Sequence, residues 1–179
     1  MGEFINLLQQ SFQAREIDSC ISQSNLIIDF IQDDAVTQKA YFTQGVENGF
    51  KIINTNQKNI SLFSLDGCFF TDSDGKRCDG IVFDDNELCL FELKLNVTSR
   101  RGAKKRERYN DAIEQLGTTI TFFNDASENI LKSFSKNSAY ICMPTPSYPR
   151  NTAANTQKKV LFLQKYGVEL FDKNEKEFN

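Results

Sequence analysis

The chain contains no histidine. That absence removes Ser-His-Asp and Cys-His catalysis, histidine general bases and every nuclease site built on an imidazole. It also excludes structural zinc held as Cys₂His₂ or Cys₃His. The five cysteines (Cys20, Cys68, Cys78, Cys89 and Cys142) are odd in number and form no CxxC pair, so Cys₄ zinc spacing is absent too. They are expected to be free thiols buried in strands. No apolar run approaches the ~20 residues that span a bilayer. The start, MGEFINLLQQ, lacks a basic region ahead of an apolar one and has no Ser or Thr at position 6. Neither a secretory signal nor myristoylation is expected, and the expected compartment is the cytoplasm. Net charge is −3, which supplies no global field toward nucleic acid. Any chemistry must therefore run on carboxylates, Lys, Arg, Tyr, hydroxyls or a metal held by oxygen.

What remains is an ordinary globular composition over 179 residues, 40% hydrophobic and rich in Phe, long enough for a single domain with a real core. Phe4, Ile5, Leu8 and Phe12 recur at helical spacing, predicting a helix over 3–14. A second helix is expected over 34–48, opened by the cap candidates Asp33 and Asp34 and closed by Gly49. The stretches ISLFSL (60–65) and GCFFT (67–71) read as one bent strand or two short ones around Asp66-Gly67. DSDG (72–75) resembles the start of a calcium loop, but position 81, where the EF-hand needs Glu, is Ile81; it reads as a plain turn. The segment 96–125 reads as one long amphipathic helix with Tyr109, Ile113, Leu116, Ile120 and Phe123 on its apolar stripe. A short helix over 126–134 and a buried strand at AYICM (139–143) follow. All three prolines fall in the polar stretch PTPSYPRNTAANTQ (144–157), read as a long loop. KKVLFL and GVELF read as a hairpin around Lys165–Gly167, with 172–179 a frayed tail and 1–33 a helical extension. The expected class is an α/β or α+β layered domain with a central mixed sheet flanked by helices.

The segment CDGIVFDDNELCLFELKL (78–95) is the most informative. A two-residue turn at Asp85-Asn86, or a four-residue loop over 84–87, sets Val82 against Cys89, Ile81 against Leu90 and Asp79 against Glu92. The two acids then form a cross-strand pair of like charge with Cβ atoms ~5 Å apart, a destabilising arrangement. Alternation places Ile81, Phe83, Leu88, Leu90 and Lys94 on the acids' face, and Val82, Cys89, Phe91 and Leu93 on the other. Both faces are apolar, so the hairpin belongs inside a sheet covered on both sides. Opposed, half-buried acids need a cation. Mg²⁺ takes a few carboxylates and completes its shell with water and phosphate, and Lys94 could orient a water or stabilise phosphoryl charge. The alternative is a metal-free Asp–Lys–Glu ion network.

Asp79, a short hairpin, then Glu92-Leu93-Lys94 resembles the signature of the PD-(D/E)XK nuclease superfamily, the restriction-endonuclease-like fold, with Cys78 where the name-giving proline would stand. The resemblance implies an αβββαβ core. It implies Asp79 and Glu92 as ligands of Mg²⁺, with Mn²⁺ able to substitute and the Leu93 carbonyl as a further ligand. Lys94 would position or activate the attacking water. Gln115 matches a catalytic-helix Gln or Lys of the family, and Glu47 a further acid from the first core helix.

Following the site, SRRGAKKRER (99–108) sets Arg101, Lys104, Lys105 and Arg108 on one helical face, with Arg100 beside them. Basic residues at a helix start oppose its dipole, so a stripe kept there points to an anionic partner, phosphate backbone foremost; a solvated charged face is the alternative. The expected function is a Mg²⁺-dependent nuclease acting on DNA, with no membrane partner; the resemblance leaves open a homodimer or a place in a larger complex. The alternative function is a nuclease-like module that binds nucleic acid or protein without cutting, in a regulatory or antitoxin-like role.

Overall fold

The structure, a computed structural model, describes residues 2–45, 49–97, 102–127, 129–148 and 152–179. Helix α1 (Gly2–Ser11) buries Phe4 and Leu8, as its apolar spacing requires. Four strands follow, β1 (Ile21–Ser24), β2 (Ile28–Asp33), β3 (Ala40–Thr43) and β4 (Phe50–Ile53). Next come β5 (Ile60–Ser64), β6 (Gly80–Phe83) and β7 (Glu87–Leu93). Helices α2 (Gly102–Ala126) and α3 (Asn129–Lys132) lead to β8 (Lys136–Cys142). Helix α4 (Ala153–Tyr166), β9 (Glu169–Asp172) and β10 (Glu175–Glu177) complete the chain.

Among the described residues, two mixed sheets result. The larger runs β1-β5-β6-β7-β8-β9 and the smaller β10-β4-β2-β3. In the larger sheet, β5, β6 and β7 form an antiparallel meander, whereas β7, β8 and β9 are parallel. Parallel neighbours need crossover connections, which α2 and α4 provide. Helices cover one face of this sheet: Ile81, Phe83, Leu88 and Leu90 pack with Phe4, Leu8, Tyr109, Leu116, Ile120 and Phe123. The smaller sheet covers the other, where Val82, Cys89, Phe91 and Leu93 meet Ile31, Ala40, Phe50 and Ile52. Hence the central hairpin is apolar on both sides, as its sequence predicted.

Several segments depart from the sequence reading. The helix expected over 34–48 is replaced by the β2–β3 hairpin up to Thr43; residues 46–48 lie outside the described residues. Asp34 does cap, but it caps a turn: its Oδ1 accepts from Val36 N (3.0 Å) and Thr37 N (2.7 Å). GCFFT is not a strand. Leu65–Phe69 forms a wide turn, closed where Phe70 N donates to Leu65 O at 2.8 Å. Gly67 sits there at φ +63°, and a Cβ on it would fall 1.9 Å from the Thr37 carbonyl. Asn96 and Val97 are not helical.

KKVLFL is helical rather than a strand, because Thr152 caps α4 at its start and Gly167, at φ +69°, ends it. The tail expected to fray instead pairs β10 in parallel with β4. Its Lys176 is buried against Glu87 (2.5 Å) and Phe178 is fully buried. Residues 1–33 hold two strands besides α1. Finally, Cys20 and Cys68 are joined in a disulfide; only Cys78, Cys89 and Cys142 are the expected buried free thiols. Among the described residues, no helix is long and apolar enough to cross a membrane.

Candidate active site

The hairpin closes around Asp85-Asn86, between Asp84 and Glu87. Asp84 N donates to Glu87 O (3.1 Å), while Asp84 Oδ1 accepts from Asn86 N (2.8 Å) and Glu87 N (2.7 Å). Lys58 holds the other oxygen of Asp84 at 2.9 Å. This Asx-type closure fixes Ile81 opposite Leu90, Val82 opposite Cys89 and Gly80 opposite Phe91. The ladder ends at that pair, and Asp79, just before β6, reaches β7 through its side chain at Leu93, next to Glu92. Gly80 is required by close approach: a Cβ there would stand 2.6 Å from Phe91 Cζ and 3.0 Å from Phe63 O.

Asp79 is 9% exposed and Glu92 1%. The Asp79 carboxylate accepts from the Leu93 N–H across the hairpin. Its backbone carbonyl accepts from Leu65 N (2.9 Å) and Asp66 N (3.3 Å), which ties the wide turn to the site. Lys94 Nζ lies 2.5 Å from Glu92 Oε1 and donates to Gln115 Oε1 at 2.7 Å. Gln115 in turn donates to the Arg77 carbonyl at 3.0 Å, so the amide cannot swing away. Asp111, one turn earlier on α2, stands 3.7 Å from Lys94 and 2.7 Å from Lys76. The second oxygen of Glu92, Oε2, is buried with no hydrogen-bond partner.

These placements set the electrostatics. Burial pushes the Asp79 carboxyl up to about 7 against the Leu93 N–H and Lys94, with Asp33 and Asp66 adding to the rise. Glu92 is pushed well above the ordinary glutamate range by burial and by the Asp79 charge, despite Lys94. Burial works to lower the Lys94 ammonium, but Glu92, Asp79 and Asp111 together outweigh it and raise it. Asp111 is lowered: burial opposes this, and Lys76 and Lys94 overcome it. The arrangement is a buried pair of acids competing for one lysine, with one carboxylate oxygen left over. It suits a hard cation or a shared proton.

Of the residues expected at the site, Asp79, Glu92, Leu93, Lys94 and Gln115 come together. Glu47, Arg100 and Arg101 lie outside the described residues. Lys104 and Arg108 are exposed on the first turns of α2 and line a surface hollow of ≈470 Å³ with Lys76, Glu107, Asp111 and Glu114. Lys105, half-buried nearby, does not line it. The basic stripe is thus interleaved with acids rather than forming an unbroken positive face. Among the described residues, no three Asp, Glu or Cys side chains are grouped to hold a metal, so Asp79 and Glu92 stand as a pair.

The sequence reading missed Asp111, although its spacing of four from Gln115 already put both on one helical face. It also did not connect Asp33 and Asp66 with the site, because their local signals are those of a cap and a turn. Asp33 belongs to the wall of a cleft of ≈1160 Å³. Leu95, Asn96, Thr145 and Asp172 also line it, so it opens at the carboxyl ends of β7, β8 and β9, the usual ligand-binding edge of parallel strands. Comparison with protein-family models, curated proteins and solved structures yields no match.

Proposed function

We propose that this chain is a divalent-metal-dependent nuclease that hydrolyses phosphodiester bonds, those of DNA foremost, on a restriction-endonuclease-like core. The observation that carries the reading is the buried Asp79–Glu92 pair with its orphaned Glu92 Oε2. A buried carboxylate oxygen without a partner is costly, and a cation is what would satisfy it. The all-oxygen donor set suits Mg²⁺ or Mn²⁺, and Mg²⁺ commonly takes only one or two carboxylates alongside water and phosphate oxygens. The element order also supports the reading: α1, the β5–β6–β7 meander, α2 and β8 follow αβββαβ, with β1–β4 inserted before the meander.

When bound, the metal supplies charge neutralisation at the phosphoryl group and a more acidic water. Within the chain, Asp79 and Glu92 would hold it, with the Leu93 carbonyl as a further donor. Asp79 is oriented by the Leu93 N–H, and Lys94 is kept beside the pair by Gln115. The Lys94 ammonium can orient a water or stabilise phosphoryl charge. Lys76, Lys104 and Arg108 at the α2 hollow supply cations for flanking phosphates. The test is cleavage of single- and double-stranded DNA and RNA in Mg²⁺, with E92Q and K94A alongside. Metal-dependent cleavage lost in both variants is the expected result; equal cleavage by E92Q overturns the assignment.

One observation favours a second reading. Lys94 is engaged by Glu92, Gln115 and Asp111 at once, as in a purely structural ion network. A nuclease-like module that binds nucleic acid or protein without cutting fits that state, and it would retain nucleic acid in Mg²⁺ while leaving it intact.

A further inference from the structure

Lys94 sits between two carboxyl groups. Glu92 Oε1 is 2.5 Å from its Nζ, and Asp111 Oδ2 lies on another element at 3.7 Å. Gln115 bonds the same nitrogen at 2.7 Å and is itself fixed by the Arg77 carbonyl. The other oxygen of Asp111 is tied to Lys76 at 2.7 Å, so the position of Asp111 does not depend on Lys94. The Lys94 side chain is only 14% exposed.

We propose that Asp111 is a positioning residue, the partner to which Lys94 shifts when a divalent cation enters between Asp79 and Glu92. This rests on the metal-binding reading of that pair. A dication on Glu92 Oε2 and an ammonium on Oε1 put like charges on one carboxylate, within a few Å and away from bulk water, where their repulsion is large. The ammonium must yield. Asp111 is the other carboxylate paired with it, and a shift of roughly 1 Å closes the gap to an ordinary charge-assisted bond. Gln115 serves as the pivot, since its oxygen can keep its bond through so short a movement. Lys94 therefore stays in the site, released from the metal-holding carboxylate and free to face substrate on its remaining side. Without Asp111 it would remain on Glu92 and compete with the incoming cation.

The experiment is a double-mutant cycle on Mn²⁺ affinity, read by calorimetry on the full chain. D111N is expected to weaken Mn²⁺ binding roughly two- to fivefold, the range an ion pair of modest exposure supports. D111E restores it. In a K94M background, which removes the ammonium, D111N has no effect; K94Q provides a second background should K94M fold poorly. Equal weakening by D111N with and without Lys94 overturns the proposal, because Asp111 would then act only as a nearby negative charge. No effect of D111N in the wild-type background overturns it too. A wild-type chain that binds no Mn²⁺ sinks the metal reading and this inference together, whereas Mn²⁺ binding with a flat cycle sinks the inference alone.

Discussion

Replacing Asp79 by Asn should stabilise the metal-free protein at alkaline pH. An Asp whose carboxyl titrates near 3.8 when unfolded and about 7 in the fold holds its proton longer in the folded state. Between those values the folded chain binds more protons, so stability falls as pH rises from about 4 and levels off above about 7. At ~1.36 kcal/mol per pH unit the whole span approaches ~4 kcal/mol. Because the neighbouring Glu92 shares the repulsion, on the order of 2–4 kcal/mol is the figure to expect. The D79N substitution removes that loss and keeps the contact, since the amide oxygen can still accept from Leu93 N. Urea denaturation in EDTA from pH 4 to pH 9 reads the effect. Wild type and D79N should be similar near pH 4 and diverge upward through pH 7, with D79N the more stable. In Mn²⁺ the order should reverse, because only the wild type gains binding energy. A D79N protein less stable than wild type at pH 8 in EDTA, or a gap that does not change with pH, refutes the reasoning.

Further expectations concern the frame around the site. Cys20 and Cys68 enclose a sequence separation of 48, so reduction, or the C20S/C68S pair, should lower stability by about 4 kcal/mol on the loop-entropy relation, seen as a Tm drop with dithiothreitol that the double variant no longer shows. G80A forces a methyl into the Phe91 ring and should cost roughly 1–3 kcal/mol by overpacking; an unchanged denaturation midpoint would show that Phe91 yields freely. F178A removes a fully buried ring from the inter-sheet core and should cost about 3–5 kcal/mol in chemical denaturation, whereas a frayed tail would lose nothing.

Legibility in the sequence followed the range of the interactions. The 78–95 hairpin could be registered by counting because its loop is closed locally by Asp84. The α2 stripe could be read because four of its five predicted apolar positions are buried and the fifth, Ile113, packs against the core. Glu92 and Lys94 followed from the hairpin, whereas Gln115 was singled out by the family resemblance. Where the reading failed, the local signal was real but ambiguous. Asp34 has the side-chain chemistry of a helix cap, and that same chemistry closes a hairpin turn. KKVLFL is too short an apolar run to separate strand from helix, and Gly167 suits a helix stop as well as a hairpin turn. The remaining misses are long-range by nature. Lys176 looks like part of a solvated tail until Glu87, far earlier in the chain, is placed beside it. Cys20 finds Cys68 only once the wide turn exists, and that turn likewise brings Asp66 to Asp79.

The pairing of β10 with β4 has a consequence for how the protein is made. Glu175 aligns with Lys51, so the smaller sheet lacks its last strand until residues more than a hundred positions later have been synthesised. At about 5–20 residues per second this interval lasts on the order of 6–25 s. During it the nascent chain holds β4 as an open edge, and the inner faces of β2 and β4 lack Phe178. Such an edge invites pairing with a neighbouring nascent chain. Crowded polysomes should therefore be where this protein goes astray, and its yield should respond to translation speed and holdase supply more than its finished stability would suggest.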